Sequence, residues 1–103
     1  MYYNKLIQYG VKHMSKIVRS ATAGTLESSD VFVTLEPNAR GLEIDIDSVV
    51  LRQFGAAIRQ AVEETLSDLQ VEAAKVSVVD RGALDCVIRA RVETAVLRGR
   101  EEE

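Results

Sequence analysis

Val31, Val33 and Leu35 alternate with Phe32, Thr34 and Glu36, a period of two that predicts a strand with one buried face. Leu42, Ile44 and Ile46 alternate in the same way with Glu43, Asp45 and Asp47, whose carboxylates then point at water. Between these runs, Pro37-Asn38-Ala39-Arg40-Gly41 joins a fixed φ to residues that tolerate positive φ, so it reads as a connecting loop. The period then changes. Leu51, Phe54, Ile58, Ala61, Val62, Leu66 and Leu69 recur at steps of three and four, while Arg52, Gln53, Arg59, Gln60, Glu63, Glu64 and Asp68 take the other side. This predicts a helix from Ser48 or Val49 to about Leu69, its apolar stripe covering the sheet. Asp47 and Ser48 are its N-cap candidates, because a side-chain oxygen there can accept from the first unpaired backbone N–H groups.

After the helix, Ala74, Val76 and Val78 alternate with Lys75 and Ser77, and Asp80-Arg81-Gly82 supplies a turn that ends the strand. The segment 84–96 fits two periods. Ile88, Ala90, Val92 and Thr94 against Arg89, Arg91 and Glu93 give a strand, whereas Leu84, Ile88, Val92, Ala95 and Val96 give a helical stripe. Its valine, isoleucine and threonine content and the turn before it favour a strand, closing into a short helical end. The fold class expected is α+β. It is a single small two-layer domain with a mainly antiparallel sheet of about four to five strands packed against one main helix, in a ββαββ-like order.

A chain of 103 residues has room for one domain and one core. The net charge of −3, with both signs interspersed, offers no cationic surface to neutralise a phosphate backbone, so nucleic acid is not expected as a partner. The lone cysteine, Cys86, excludes an intrachain disulfide, and no apolar run approaches the ~20 residues that span a bilayer. No membrane partner and a cytoplasmic location follow as expectations. Residues 1–13 hold all the tyrosines and the only histidine and end at Met14, where translation can also begin. They read as an upstream extension or a cloning remnant rather than a native arm packed on the domain. Residues 14–98 then form the domain, and 99–103 a disordered acidic tail that frays from Arg98.

Catalytic sets are scarce. The only histidine lies in the leader, so the domain has no histidine base for a serine or cysteine, and Cys86 has no metal-ligand companion at a standard spacing. Neither a phosphate-binding Gly-x-x-x-x-Gly-Lys loop nor a Gly-x-Gly-x-x-Gly fingerprint occurs. Asp45 with Asp47, and Glu63 with Glu64, occupy ordinary solvated positions, and Cys86 reads as a buried inert thiol. A self-contained enzyme is hard to build from these residues, and no metal site is expected.

One stretch stands apart. Ala23-Gly24-Thr25-Leu26-Glu27-Ser28-Ser29-Asp30 places small and polar residues just before the first clear strand, a tight turn in which Ser28, Ser29 and Asp30 can bond nearby amides. Such a turn also exposes a hydroxyl away from the core, where a modifying enzyme can reach it.

Three blocks carry a resemblance: Gly24-Thr25-Leu26-Glu27-Ser28-Ser29-Asp30, then Gln53-Phe54-Gly55-Ala56-Ala57-Ile58-Arg59, then Asp80-Arg81-Gly82-Ala83-Leu84-Asp85-Cys86-Val87-Ile88-Arg89-Ala90-Arg91. In this order they resemble the acyl carrier (gamma) subunit family of citrate lyase, over about Met14 to Arg98. The resemblance implies that Ser28, the serine directly after the glutamate, is joined by a phosphodiester to a phosphoribosyl-dephospho-CoA group whose thiol carries acetate. It implies as partners a prosthetic-group transferase, an alpha acyl transferase subunit that exchanges acetyl for citryl, and a beta citryl lyase subunit that releases oxaloacetate. On this reading the chain is a non-catalytic carrier in citrate fermentation, and Ser28 is an attachment point. Asp30 then either caps the turn or orients the modified serine, and Arg89 and Arg91, on one face, meet the anionic cofactor or an acidic partner, or form a solvated face. Carriers of citramalate lyase or malonate decarboxylase, and an unmodified subunit-bridging module, are the alternatives.

Overall fold

The computed structural model describes residues 16–100. The leader expectation for 1–13 lies outside these residues, as does the end of the expected tail. The order of elements is β1 (Ala21–Gly24), β2 (Val31–Glu36), β3 (Leu42–Ser48), α1 (Leu51–Asp68), β4 (Ala74–Asp80) and α2 (Asp85–Gly99). The four strands form one sheet in the order β1-β2-β4-β3. β1 and β4 both run antiparallel to β2, whereas β3 and β4 are parallel and joined across α1. Both helices cover one face of this sheet, and a single apolar core lies between. The α+β class and two-layer build hold, with a mixed sheet.

The alternation in the sequence is the alternation of burial. Val31, Val33 and Leu35 of β2 and Ala74, Val76 and Val78 of β4 are buried, as residues i, i+2 and i+4 of a strand must be when one face is covered. α1 buries Ile58, Ala61, Val62, Thr65 and Leu66, and its apolar members join the same core. Its start differs from expectation. The N-cap is Val50, with no side-chain cap. Ser48 Oγ instead accepts from Val50 N–H at 3.0 Å, two residues ahead of the N-cap, and donates to Asp80 Oδ2 at 2.8 Å, while Asp47 remains on the exposed face of β3.

The expected strand at 84–96 is corrected: this segment belongs to helix α2. Its buried residues are Ile88, Val92, Ala95, Val96 and Gly99, a helical stripe, while Ala90 is exposed. The reason is non-local. A helix about 10 Å across covers about two strands spaced ~4.8 Å apart. α1 packs beside β3, so the β1–β2 half of the sheet needs a second cover, and α2 supplies it. That need outweighs the strand preference of its valines and threonine. Asp85 in its first turn and Arg98 in its last also suit the helix dipole.

The expected tail is corrected at its start. Gly99 is buried within α2, Arg98 Nη1 donates to Thr22 O at 2.8 Å and Arg100 Nη1 to Leu69 O at 3.1 Å, so 98–100 are held on the domain. Gly99 O also accepts from Val18 N–H at 2.9 Å and Arg19 N–H at 3.1 Å. Among the described residues no helix is long and apolar enough to cross a membrane.

Candidate functional site: the serine loop

Topology gathers one end of the sheet. β1 ends, β2 begins and both parallel strands finish there, because Val31 pairs with Asp80 and Ser48 lies beside Asp80 on the other side. The 25–30 loop, the 81–84 turn and the N-termini of α1 and α2 therefore share this end. Helix N-termini carry partial positive charge, so the end favours an anion electrostatically.

Ser28 occupies the outside of the loop. Asp30 N–H donates to Glu27 O at 3.1 Å, closing a turn with Ser28 second and Ser29 third. Ser29 has φ 67°, the positive value that the third position of a type II turn requires. Ser29 N–H donates to Arg81 O at 2.8 Å and Arg81 N–H to Asp30 O at 2.9 Å, so the loop is pinned to the 81–84 turn. Ser28 is exposed, and its hydroxyl makes no hydrogen bond among the described residues.

The loop is held from within by Asp30. Its Oδ2 accepts from Thr25 Oγ1 at 2.7 Å, and its Oδ1 from Val31 N–H at 2.8 Å. Thr25 Oγ1 in turn accepts from Glu27 N–H at 3.2 Å. Arg91 reaches across from α2 with two prongs, Nε to Oδ1 at 3.2 Å and Nη2 to Oδ2 at 2.9 Å. The Thr25 hydroxyl, the Arg91 guanidinium and the Val31 amide together lower the Asp30 pKa from the ordinary 3.8 to about 2. All these donors favour the ionised form. With both oxygens occupied and so weak a basicity, Asp30 is not placed to take a proton from Ser28.

A pH dependence follows. The folded pKa lies below the unfolded one, so Asp30 contributes stability that is fully present above 3.8 and lost as pH falls through about 2. Titration of the Asp30 carboxyl by NMR is expected to give a midpoint at about 2, and Arg91→Ala to move it upward. A wild-type midpoint at the ordinary aspartate value contradicts the described contacts.

The neighbouring turn is equally well anchored. Asp80 is buried at the end of β4 and accepts from Ser48 Oγ, Gly82 N–H at 3.2 Å and Ala83 N–H at 2.9 Å. The turn then exposes Leu84, and Leu26, Val49, Leu51 and Phe54 are exposed at the same end, leaving only Val18, Leu42 and Leu97 elsewhere among exposed large apolar residues described. Phe54 and Leu84 flank an apolar groove of about 360 Å³ between the first turns of the two helices. Leu51 and Phe54, expected in the helix core stripe, thus face this surface instead.

Two other expectations change. Arg89 and Arg91 do not share a face, because two residues on a helix are ~200° apart. Arg89 pairs with Asp85 at 2.6 Å and with Glu64 of α1 at 2.9 Å, while Arg91 pairs with Asp30. Cys86, expected buried, is exposed on the first turn of α2. Sequence reading missed Thr25 as a donor to Asp30 and the buried anchoring role of Asp80. The Asp-x-Gly-Ala spacing at 80–83 was the signal available for the second. Among the described residues no group of three histidine, cysteine or acidic side chains is placed to hold a metal ion.

Comparison with known proteins agrees with this build. Residues 18–99 match the family model described as Malonate decarboxylase delta subunit (MdcD). Citrate lyase acyl carrier protein 2 of Salmonella paratyphi A is 53% identical over 88 residues, 84% of this chain and 91% of that one. Citrate lyase acyl carrier proteins of Enterobacter sp. and of Vibrio cholerae serotype O1 are 57% identical over 88 residues and 58% over 84, covering 85% and 81% of this chain and 91% and 86% of theirs. A chain in the crystal structure of a Pseudomonas malonate decarboxylase hetero-tetramer in complex with malonate superposes with a TM-score of 0.66 at 32% identity, covering 78% of this chain and 82% of that one. The family match over 18–99 and relatives of this similarity lead to one assignment: the chain is a carrier subunit and belongs to the citrate lyase acyl carrier protein (gamma subunit) family.

Proposed function

We propose that the chain is the acyl carrier subunit of a citrate lyase, with Ser28 as the covalent attachment point of a phosphoribosyl-dephospho-CoA arm. The observation that carries this reading is the Ser28 hydroxyl itself, exposed on a turn whose backbone is fixed on both sides. The arm, once bound, supplies a thiol that carries acetyl and citryl thioesters. The residues fit such a group: the hydroxyl has no partner to give up, and the two helix N-termini favour its phosphate charge. Because Asp30 is fully engaged, activation of the Ser28 proton falls to a prosthetic-group transferase.

The division of labour follows from what the domain lacks. It holds the attachment point still and presents it, and alpha acyl transferase and beta citryl lyase subunits carry out the chemistry in the cytoplasm. A covalent tether turns two encounters with a thioester into intramolecular ones at high local concentration. The exposed Leu26, Leu84 and Phe54 lie at the end that faces a partner during delivery, where apolar contact is useful. Identities of 53–58% to citrate lyase carriers, against 32% to the malonate decarboxylase chain, favour citrate over malonate.

Reconstitution tests the substrate. The modified, acetylated chain mixed with citrate lyase alpha and beta subunits is expected to restore citrate cleavage, and the unmodified chain to restore none. Turnover of malonate or citramalate with their own partner subunits, but none of citrate, would assign the carrier to another assembly.

A further inference from the structure

Among the ion pairs described, Arg91 to Asp30 is the one that ties the serine loop to a helix. Arg91 lies on α2, two-fifths exposed, and its pair with Asp30 joins residues 61 apart in sequence. The bond is a planar fork onto both carboxylate oxygens, which fixes direction as well as distance. The other side-chain contacts of Asp30, to Thr25 and Val31, are inside or beside the loop, and the backbone bonds of Ser29 and Asp30 to Arg81 hold it to the 81–84 turn, so Arg91 is the contact that adds α2. The path of the arginine is also prepared. A Cβ at Gly24 would stand 3.3 Å from Arg91 Cδ, so the glycine leaves room for the stem to pass under the loop.

We propose that Arg91 is a positioning residue for the modification of Ser28: its fork on Asp30 fixes the 25–30 loop against α2 and so aims the Ser28 hydroxyl at the transferase. This rests on Ser28 as the attachment site. In the step concerned, Ser28 Oγ forms a bond to phosphorus of a phosphoric anhydride of the arm, the bond to the phosphate leaving group breaks, and the hydroxyl proton passes to a base of the transferase. Arg91 touches none of the reacting atoms. It acts through Asp30, and a misplacement of about 1 Å at the hydroxyl is enough to slow such a step about 100-fold.

The test uses the unmodified full chain, its transferase and the activated arm precursor, with transfer followed by intact mass. Arg91→Lys keeps the charge but loses the fork. It is expected to lower kcat by about 10- to 100-fold with KM little changed. Asp30→Asn is expected to do the same, and the double variant to be no slower than the worse single one, because both act through one contact. Amide hydrogen exchange gives a readout that needs no arm: Ser29 and Asp30 are expected to exchange at least about 10-fold faster in Arg91→Lys, and Val62 and Leu66 of α1 at the wild-type rate. A wild-type kcat for Arg91→Lys, a loss confined to KM, multiplicative effects in the double variant, or unchanged loop exchange each overturns the proposal. Transfer in the wild type to a residue other than Ser28 overturns instead the attachment reading, while loop exchange still judges the clamp.

Discussion

Gly24→Ala is expected to lower the stability of the domain by roughly 3 kcal/mol or more, among the largest effects of any single methyl group in this chain. Gly24 closes β1 with φ 95°, where an L-residue is strained by roughly 1–2 kcal/mol. Space is the larger problem. An added Cβ would lie 1.8 Å from Val31 O, which accepts from Thr25 N–H to start the serine loop. The atom in the way is backbone, so either the β1–β2 pairing at Gly24 and Phe32 shifts or the loop opens. Against a total stability of roughly 5–15 kcal/mol, the loss is a fall in melting temperature of more than about 10 °C. Gly82→Ala is the control: φ is 93° there too, but nothing lies within 4 Å of the added carbon, so only the backbone strain remains. Equal melting temperatures for the two variants would show that the close approach at Val31 is not made.

Ser28→Ala is expected to abolish attachment of the arm completely while leaving the fold within about 0.5 kcal/mol of wild type. The separation of the two effects comes from geometry. The Ser28 hydroxyl bonds nothing among the described residues, so its removal leaves no buried group unpaired. Ser29 does not replace it, since φ 67° and the bond of its N–H to Arg81 O direct that residue differently from its neighbour. Thermal unfolding checks the first half and intact mass after incubation with the transferase the second. Retained modification, or a collapsed fold, contradicts the reading of Ser28 as a presented hydroxyl.

What the sequence made legible follows the range of the interactions. β2, β3, β4 and α1 were readable because each has one buried face, and burial of one face writes its own period into the chain. β1 carries only Ala-Thr-Ala-Gly, too short and too small to show a period. α2 was misread because its residues satisfy both periods, and the deciding factor, a four-stranded sheet too wide for one helix, appears in no local window. The parallel pairing of β3 with β4 is likewise a property of the crossover through α1.

At the site, the turn chemistry of the 25–30 loop was visible locally, and the resemblance singled out Ser28 within it. The Asp30 to Arg91 contact was not visible, because once the segment was read as a strand, Arg89 and Arg91 fell on one face. Helical geometry sends them to opposite partners, one bracing the two helices and the other bracing the loop. Asp80 was read as a turn residue, and it is one, but its burial and its bond to Ser48 also make it the joint between the ends of β3 and β4.

Fragmentation mass spectrometry of peptides from the chain, isolated from cells that make its transferase, tests the central claim most directly. The account predicts the mass of the phosphoribosyl-dephospho-CoA arm on Ser28, in the peptide that contains Glu27 and Asp30. Arm mass on Ser29 or Cys86, or a fully unmodified Ser28 in those cells, would contradict it.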